Sequence, residues 1–117
     1  MNIEVGMYVR IKNRGIAKFR GWNAYDENKV AIHTHNEGDI EITPVIDKNT
    51  IIKASYNIID ILEVGDYVNG HRVEEINFEN EEIFTDSEYY CGIVEFSNVK
   101  SVITHEQMEQ MAYKVVE

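Results

Sequence analysis

Two groups of side chains in this sequence have the types and spacing to do chemistry by binding, and they carry opposite charge. Arg10, Lys12, Arg14, Lys18 and Arg20 fall within one short stretch, with Tyr8, Phe19 and Trp22 among or beside them. Cations next to aromatic rings hold nucleotides and single-stranded nucleic acid, since the cations meet phosphate and the rings stack on bases. An amphipathic strand also places cations at every second position without any ligand, its face then being solvated or paired with acids elsewhere. The second group is Glu74, Glu75, Glu79, Glu81, Glu82, Asp86 and Glu88, interleaved with Phe78, Phe84, Tyr89 and Tyr90. No lysine or arginine lies between residues 73 and 99. Carboxylates held at fixed positions can imitate a phosphate backbone and occupy the basic channel of a nucleic-acid enzyme. The alternative is a solvated acidic loop.

Other chemistry has weaker support. His33 and His35 alternate on an expected strand, so both imidazoles would point the same way and could share a metal, with Glu37, Asp39 or His71 completing the set. A His-x-His pair alone is equally a pair of ordinary surface or half-buried histidines. The Asp-x-Asp-x-Asp-Gly pattern of a calcium loop is missing. So are the Gly-x-Ser-x-Gly elbow, the His-Glu-x-x-His helix and the Gly-x-x-x-x-Gly-Lys loop. Cys91 is the single cysteine. It could serve as a nucleophile beside a histidine, but cysteine is among the most buried residue types and here sits in an apolar strand. The expectation is a protein that is not an enzyme and uses no cofactor.

The bulk charge weighs against one class of partner. The net charge is −10, unevenly placed: residues 1–20 hold five basic groups against Glu4, whereas the rest of the chain sets six basic groups against twenty acids. A net acidic protein disfavours sequence-independent nucleic-acid binding, which works by neutralising phosphates. It favours encounter with a basic partner. A lone cysteine excludes an internal disulfide and a multi-cysteine zinc site, as expected of a reducing compartment. Met1-Asn2-Ile3-Glu4 lacks the basic start and apolar core of a secretory signal. No apolar run approaches the roughly 20 residues a membrane-spanning helix needs. A cytoplasmic protein with no membrane partner is expected.

The elements that must position these groups are announced by a repeat. Residues 3–9 read Ile-Glu-Val-Gly-Met-Tyr-Val and residues 62–68 read Leu-Glu-Val-Gly-Asp-Tyr-Val, five of seven positions being identical at a spacing of 59. Gly6 and Gly65 punctuate a turn, and the Tyr-Val after each begins a strand. The first strand continues to Lys12, with Val9 and Ile11 on one face and Arg10 and Lys12 on the other. Asn13-Arg14-Gly15 reads as a hairpin turn leading into a return over 16–20, and Asn69-Gly70 as a second leading into a return over 72–76. Further strands are predicted over 29–33, 39–42, 50–53, 83–85, 91–96 and 113–116. Turns are expected at 36–38 and 47–49, and Pro44 marks an edge or loop. Thr104-His105-Glu106-Gln107 fits a capping box, with Met108 and Met111 giving one apolar face to a short helix over 105–111. Ser55 is placed to cap another turn through Asp60.

These signals predict a mainly β protein built of two small related SH3-like or β-barrel halves in tandem. The first is 1–60 with the basic hairpin; the second is 61–117 with the acidic stretch and the short helix. A single continuous domain is the alternative. Each half alone would be marginal in size, so the halves share an interface or the chain forms a homo-oligomer.

The blocks Val5-Gly6-Met7-Tyr8-Val9-Arg10, Ile51-Ile52-Lys53-Ala54-Ser55, Asn57 to Gly70 and Ile103-Thr104-His105-Glu106-Gln107 carry a resemblance. They are similar to a group of small, mostly uncharacterised proteins of phages and prophages of low-GC Gram-positive bacteria, the middle block being the specific part. Residues 20–50 and 77–98 lie outside it. The resemblance implies a genomic setting and no mechanism. A second likeness, to SH3-like barrels of the KOW type, rests on the glycine, basic residues and apolar alternation of the opening strands. Together these lead to the expectation of a phage or prophage accessory protein in the host cytoplasm. It would act through its acidic surface as an anti-CRISPR or anti-restriction type inhibitor of a host protein with a basic nucleic-acid-binding surface. One alternative is a nucleic-acid or nucleotide module, including a signal-nucleotide sponge, using the basic hairpin and Trp22. Another is a metal-dependent enzyme at His33 and His35.

Overall fold

The computed structural model describes residues 2–33 and 45–111. The chain divides into two compact units, Met1–Ile61 and Leu62–Glu117. In the first, β1 (Tyr8–Ile11), β2 (Gly15–Trp22), β3 (Lys29–His33), β4 (Val45–Asp47) and β5 (Ile51–Ser55) form one antiparallel sheet in the order β4-β3-β2-β1-β5. In the second, β6 (Tyr67–Val68), β7 (His71–Asn77), β8 (Glu82–Thr85), β9 (Ile93–Glu95) and β10 (Val102–Ile103) take the order β10-β6-β7-β8-β9. Each is a four-strand meander whose fifth strand returns beside the first, so the two small β halves share one connectivity. A 3₁₀ turn precedes the last strand in both, at Lys48–Thr50 and at Phe96–Asn98. Beyond that strand the two units differ: the first has a 3₁₀ turn at Ile58–Ile61 and the second has α1 (His105–Met111). No helix among the described residues is long and apolar enough to cross a membrane.

The repeated phrase has one conformation in both places. Gly6 and Gly65 have φ of 93° and 98°, values that an L side chain adopts only under strain. The Gly6 N–H donates to Phe19 O at 3.0 Å, Met7 N–H to Glu4 O at 3.1 Å and Phe19 N–H to Met7 O at 2.9 Å. The Gly65 N–H donates to Val73 O at 2.9 Å, Asp66 N–H to Glu63 O at 3.1 Å and Val73 N–H to Asp66 O at 2.7 Å. Phe19 and Val73 therefore occupy the same place. From that anchor the registers align strand by strand: Tyr8 faces Lys18 and Ser55, while Tyr67 faces Arg72 and Ile103. Even the irregularity repeats. Pairing slips between Phe19 and Gly21 in one hairpin and between Val73 and Glu75 in the other, so Arg20 and Glu74 each sit in a β-bulge, which reverses the inside–outside parity beyond it.

The first core holds Val9, Ile11, Ala17, Phe19, Val30, Ile32, Ile46 and Ile51. The second unit buries Leu62, Val68, Val73 and Ile83, with Thr85 and Thr104. The chemistry that closes each hairpin is local. Asn69 and Gly70, at φ of 52° and 85°, make the two-residue turn whose twist suits antiparallel strands. The capping box at α1 is reciprocal: Thr104 N–H donates to Gln107 Oε1 at 2.9 Å and Gln107 N–H to Thr104 Oγ1 at 3.2 Å. Ser55 Oγ accepts the Asn57 N–H at 3.1 Å and donates to Asp60 Oδ2 at 2.6 Å, holding the 3₁₀ turn beyond.

Three expectations are corrected. Cys91 belongs to no apolar strand: it is exposed, in a turn over Tyr89–Gly92 where Tyr90 and Cys91 have positive φ of 52° and 57°, and β9 starts after it. The strand predicted over 91–96 is thus Ile93–Glu95 alone. Strands β4 and β10, three and two residues long, are additions that the periodicity did not announce. The strands expected over 39–42 and 113–116, the turn over 36–38 and Pro44 lie outside the described residues.

The Tyr89–Gly92 turn is pinned tightly. Thr85 Oγ1 donates to Gly92 O at 2.9 Å. A Cβ at Gly92, where φ is +76°, would run into the Thr85 carbonyl oxygen. Gly92→Ala is expected to cost about 2 kcal/mol of stability, from left-handed strain plus that contact. Urea denaturation followed by circular dichroism measures it.

Candidate protein-binding face

The duplicated scaffold allows position-by-position comparison of one surface. In β8, Ile83 and Thr85 are buried, so Glu82 and Phe84 turn to the opposite face. Cross-strand pairing extends that face into two rows. One is Glu75–Phe84–Ile93 and the other is Asn77–Glu82–Glu95, since directly opposed residues share a face. Phe84 is half-buried, Ile93 is 36% exposed and Glu75 and Glu95 are exposed.

The matching rows of the first unit are built differently. Gly21–Ala31–Val45 stand where Glu75–Phe84–Ile93 stand in the second, and Lys29 opposite Asp47 replaces Glu82 opposite Glu95. Lys29 Nζ and Asp47 Oδ1 pair at 2.6 Å. The hydrogen bond to Asp47 raises the Lys29 ammonium above its usual value, with the charges of Asp47 and Asp26 adding and burial opposing. In the second unit an identical register sets two carboxylates against each other, an arrangement that costs a few tenths of a kcal/mol up to about 1. Glu82 and Glu95 make no ion pair or hydrogen bond among the described residues.

The other acidic positions divide. Glu79 and Glu81 lie on the exposed β7–β8 turn, Glu81 at φ 55°. Beside them Phe78 and Phe96 pack edge to face, with centroids 5.7 Å apart. Glu74 is at the bulge. Glu88 is exposed just before Tyr89 and Tyr90, which are 76% and 89% exposed. Asp86 has structural work instead: its Oδ1 accepts the Arg72 N–H at 3.0 Å and lies 3.9 Å from His71 Nδ1. Glu95, which the sequence pattern did not single out, belongs to the face because pairing brings it opposite Glu82.

The basic constellation loses one of its five cations. Arg10 is fully buried, donating from Nη1 to the Ile61 carbonyl at 3.0 Å, because the 3₁₀ turn Ile58–Ile61 packs on β1. Its expected place on an exposed cationic face is corrected. Trp22 stays 53% exposed. The bulge at Arg20 puts it opposite buried Val30, where it packs edge-on against Phe19 at 5.6 Å with Lys48 6.0 Å from its ring. Lys12, Arg14, Lys18 and Arg20 are exposed. Lys18 lies over Tyr8 at 5.0 Å. His33 stands opposite Lys18, a cation that disfavours a metal there; His35, Glu37 and Asp39 lie outside the described residues.

A cluster that the sequence pattern did not reveal joins Asp66, His105 and Glu106, whose ligand-type atoms lie within 4.8 Å of one another. Its carboxylates already have tasks. Asp66 is fully buried and accepts backbone N–H groups with both oxygens, from Glu63 at 2.8 Å and from His105 at 3.0 Å. His105 Nε2 is 3.1 Å from Glu106 and 3.4 Å from Glu63. This is how the second repeat clamps its turn to α1. Asp66→Asn, which keeps one acceptor and turns an amide donor toward the other N–H, is expected to cost about 1–2 kcal/mol. Thermal unfolding reads the loss. Comparison of the chain with family models, with curated proteins and with solved structures returns no match.

Proposed function

We propose that this is a non-enzymatic phage or prophage accessory protein. Its second unit docks the Glu75–Phe84–Ile93 and Asn77–Glu82–Glu95 rows onto a basic surface of a host protein. A host defence nuclease or another nucleic-acid-handling protein fits that description, because its phosphate-binding channel is a standing array of cations. The observation that carries the reading is the exchange of a neutral ion pair for two opposed carboxylates at one register position. The same face also exchanges Ala31 and Val45 for Phe84 and Ile93. A half-apolar centre with a charged rim has the composition of a docking surface, where buried apolar anchors supply affinity and rim charge supplies orientation and on-rate.

The experiment is affinity purification from an infected or lysogenic host, run in parallel with the wild type and with Glu82→Lys/Glu95→Lys. The docking reading requires a partner retained by the wild type, lost with the double variant and still retained with Lys12→Ala/Arg14→Ala. A partner that survives the double variant and is lost with the basic-hairpin variant would instead identify the nucleotide or nucleic-acid reading.

A further inference from the structure

The second unit also contains a groove of about 390 Å³ that the docking face does not use. Val64, Tyr67, Arg72, His105, Met108 and Glu109 line it, and its size falls within the range of small-molecule sites. It lies where the repeat turn, the β6–β7 hairpin and α1 meet.

The first unit again supplies the comparison, since the register matches Tyr67 with Tyr8, Arg72 with Lys18 and the start of α1 with the segment after Ser55. There the corresponding groups are used up internally. Lys18 closes over Tyr8, Asn57 Oδ1 accepts the Ile59 N–H at 3.1 Å and Asp60 accepts from Ser55. Tyr56 donates to Glu4 Oε2 at 2.5 Å, which raises the phenol above its usual value. In the second unit the His105 ring is committed to Glu106 and Glu63. The Arg72 guanidinium, the Tyr67 hydroxyl and the Glu109 carboxylate make no hydrogen bond or ion pair among the described residues. Arg72 and Glu109 thus stand in one groove, on a strand and a helix, opposite in charge and not paired with each other. Val64 and Met108 add apolar surface to the same lining, 57% and 36% exposed.

We infer that this groove binds a free α-amino acid with an apolar side chain. The carboxylate goes to Arg72, whose planar fork suits it bidentately. The ammonium goes to Glu109, and the side chain lies on Val64 and Met108. A ligand with one charge would leave the other of the two groups without a partner, and a peptide end carries only one of the two.

The test is titration of the ¹⁵N-labelled full chain with L-phenylalanine and L-leucine, followed by amide shifts. Saturable changes at Gly65, Tyr67, Arg72 and His105 to Glu109 are expected below about 10 mM for at least one of them. N-acetyl-L-phenylalanine and L-phenylalaninamide, each missing one charge, should bind about tenfold more weakly, as should L-phenylalanine to Arg72→Gln and to Glu109→Gln. Glu82→Lys should bind as the wild type does, which separates this site from the docking face. If neither amino acid gives saturable shifts, or if the blocked derivatives or the two groove variants bind as tightly as the parent pair, the groove is ordinary solvated surface and the inference is overturned.

Discussion

Replacing Arg10 by alanine is expected to lower the unfolding free energy by about 4 kcal/mol, while Lys12→Ala, two residues along the same strand, changes it by less than about 0.5 kcal/mol. The difference follows from burial. Arg10 is the largest fully buried side chain among the described residues, and its guanidinium satisfies the Ile61 carbonyl at the end of a 3₁₀ turn 51 residues away. Truncation removes the packing of the long aliphatic stem and leaves a buried acceptor without its donor, each worth about 1–3 kcal/mol. Arg10→Lys should recover only part of the loss, because a single ammonium cannot reproduce the planar spread of donors. Urea titrations of the three variants decide the matter. If Arg10→Ala unfolds like the wild type, then the residue is on the surface and the cationic hairpin face regains its fifth member.

That residue also shows where legibility ended. The alternation Val9-Arg10-Ile11-Lys12 correctly separates an apolar face from a polar one. Whether the polar face is wet depends on what folds over it, and the Ile58–Ile61 turn that covers Arg10 is remote in sequence. Features set by neighbouring residues were readable: the repeated turn with its positive-φ glycine, the Asn69-Gly70 hairpin, the Thr104–Gln107 capping box and the Lys29–His33 strand. Features set by pairing were not. The slip at Arg20 sets Trp22 opposite Val30 while leaving it 53% exposed, and no period-2 pattern shows an extra residue. Strands β4 and β10 are too short to display a period, and they exist because a long-range partner offers them hydrogen bonds. Glu95 sits thirteen residues from Glu82, and only the β8–β9 register reveals that the two carboxylates face each other. The charge segregation was visible from composition alone, but its sharpest expression, an ion pair in one repeat and its all-acid counterpart in the other, required the alignment of the two sheets.

Glu82→Lys should therefore make the protein more stable and worse at binding. The substitution rebuilds, in the second unit, the charge arrangement that Lys29 and Asp47 hold in the first, setting a cation opposite Glu95. An exposed cross-strand pair of this kind contributes roughly 0.5 kcal/mol, and relief of the like-charge opposition adds a similar amount. An increase of about 0.5–1 kcal/mol in unfolding free energy is expected, shrinking as salt screens the pair. Binding should move the other way. A cation placed against a basic partner exchanges attraction for repulsion at the charged rim of the face, and a loss of roughly a hundredfold in affinity is expected, with the association rate falling at low salt. Ala31 and Val45 argue that the apolar part of the face is separable. Phe84→Ala and Ile93→Val, which take those positions toward their first-unit counterparts, should slow association little and speed dissociation instead, since apolar anchors act after encounter. Measuring both rates for the charge and apolar variants, alongside urea stability, distinguishes a face kept for binding from one that is merely acidic. A surface with no partner gives Glu82→Lys its stability gain and no functional loss. A docking surface shows gain and loss together, because the carboxylate opposition that weakens the fold is the same one that a basic partner relieves.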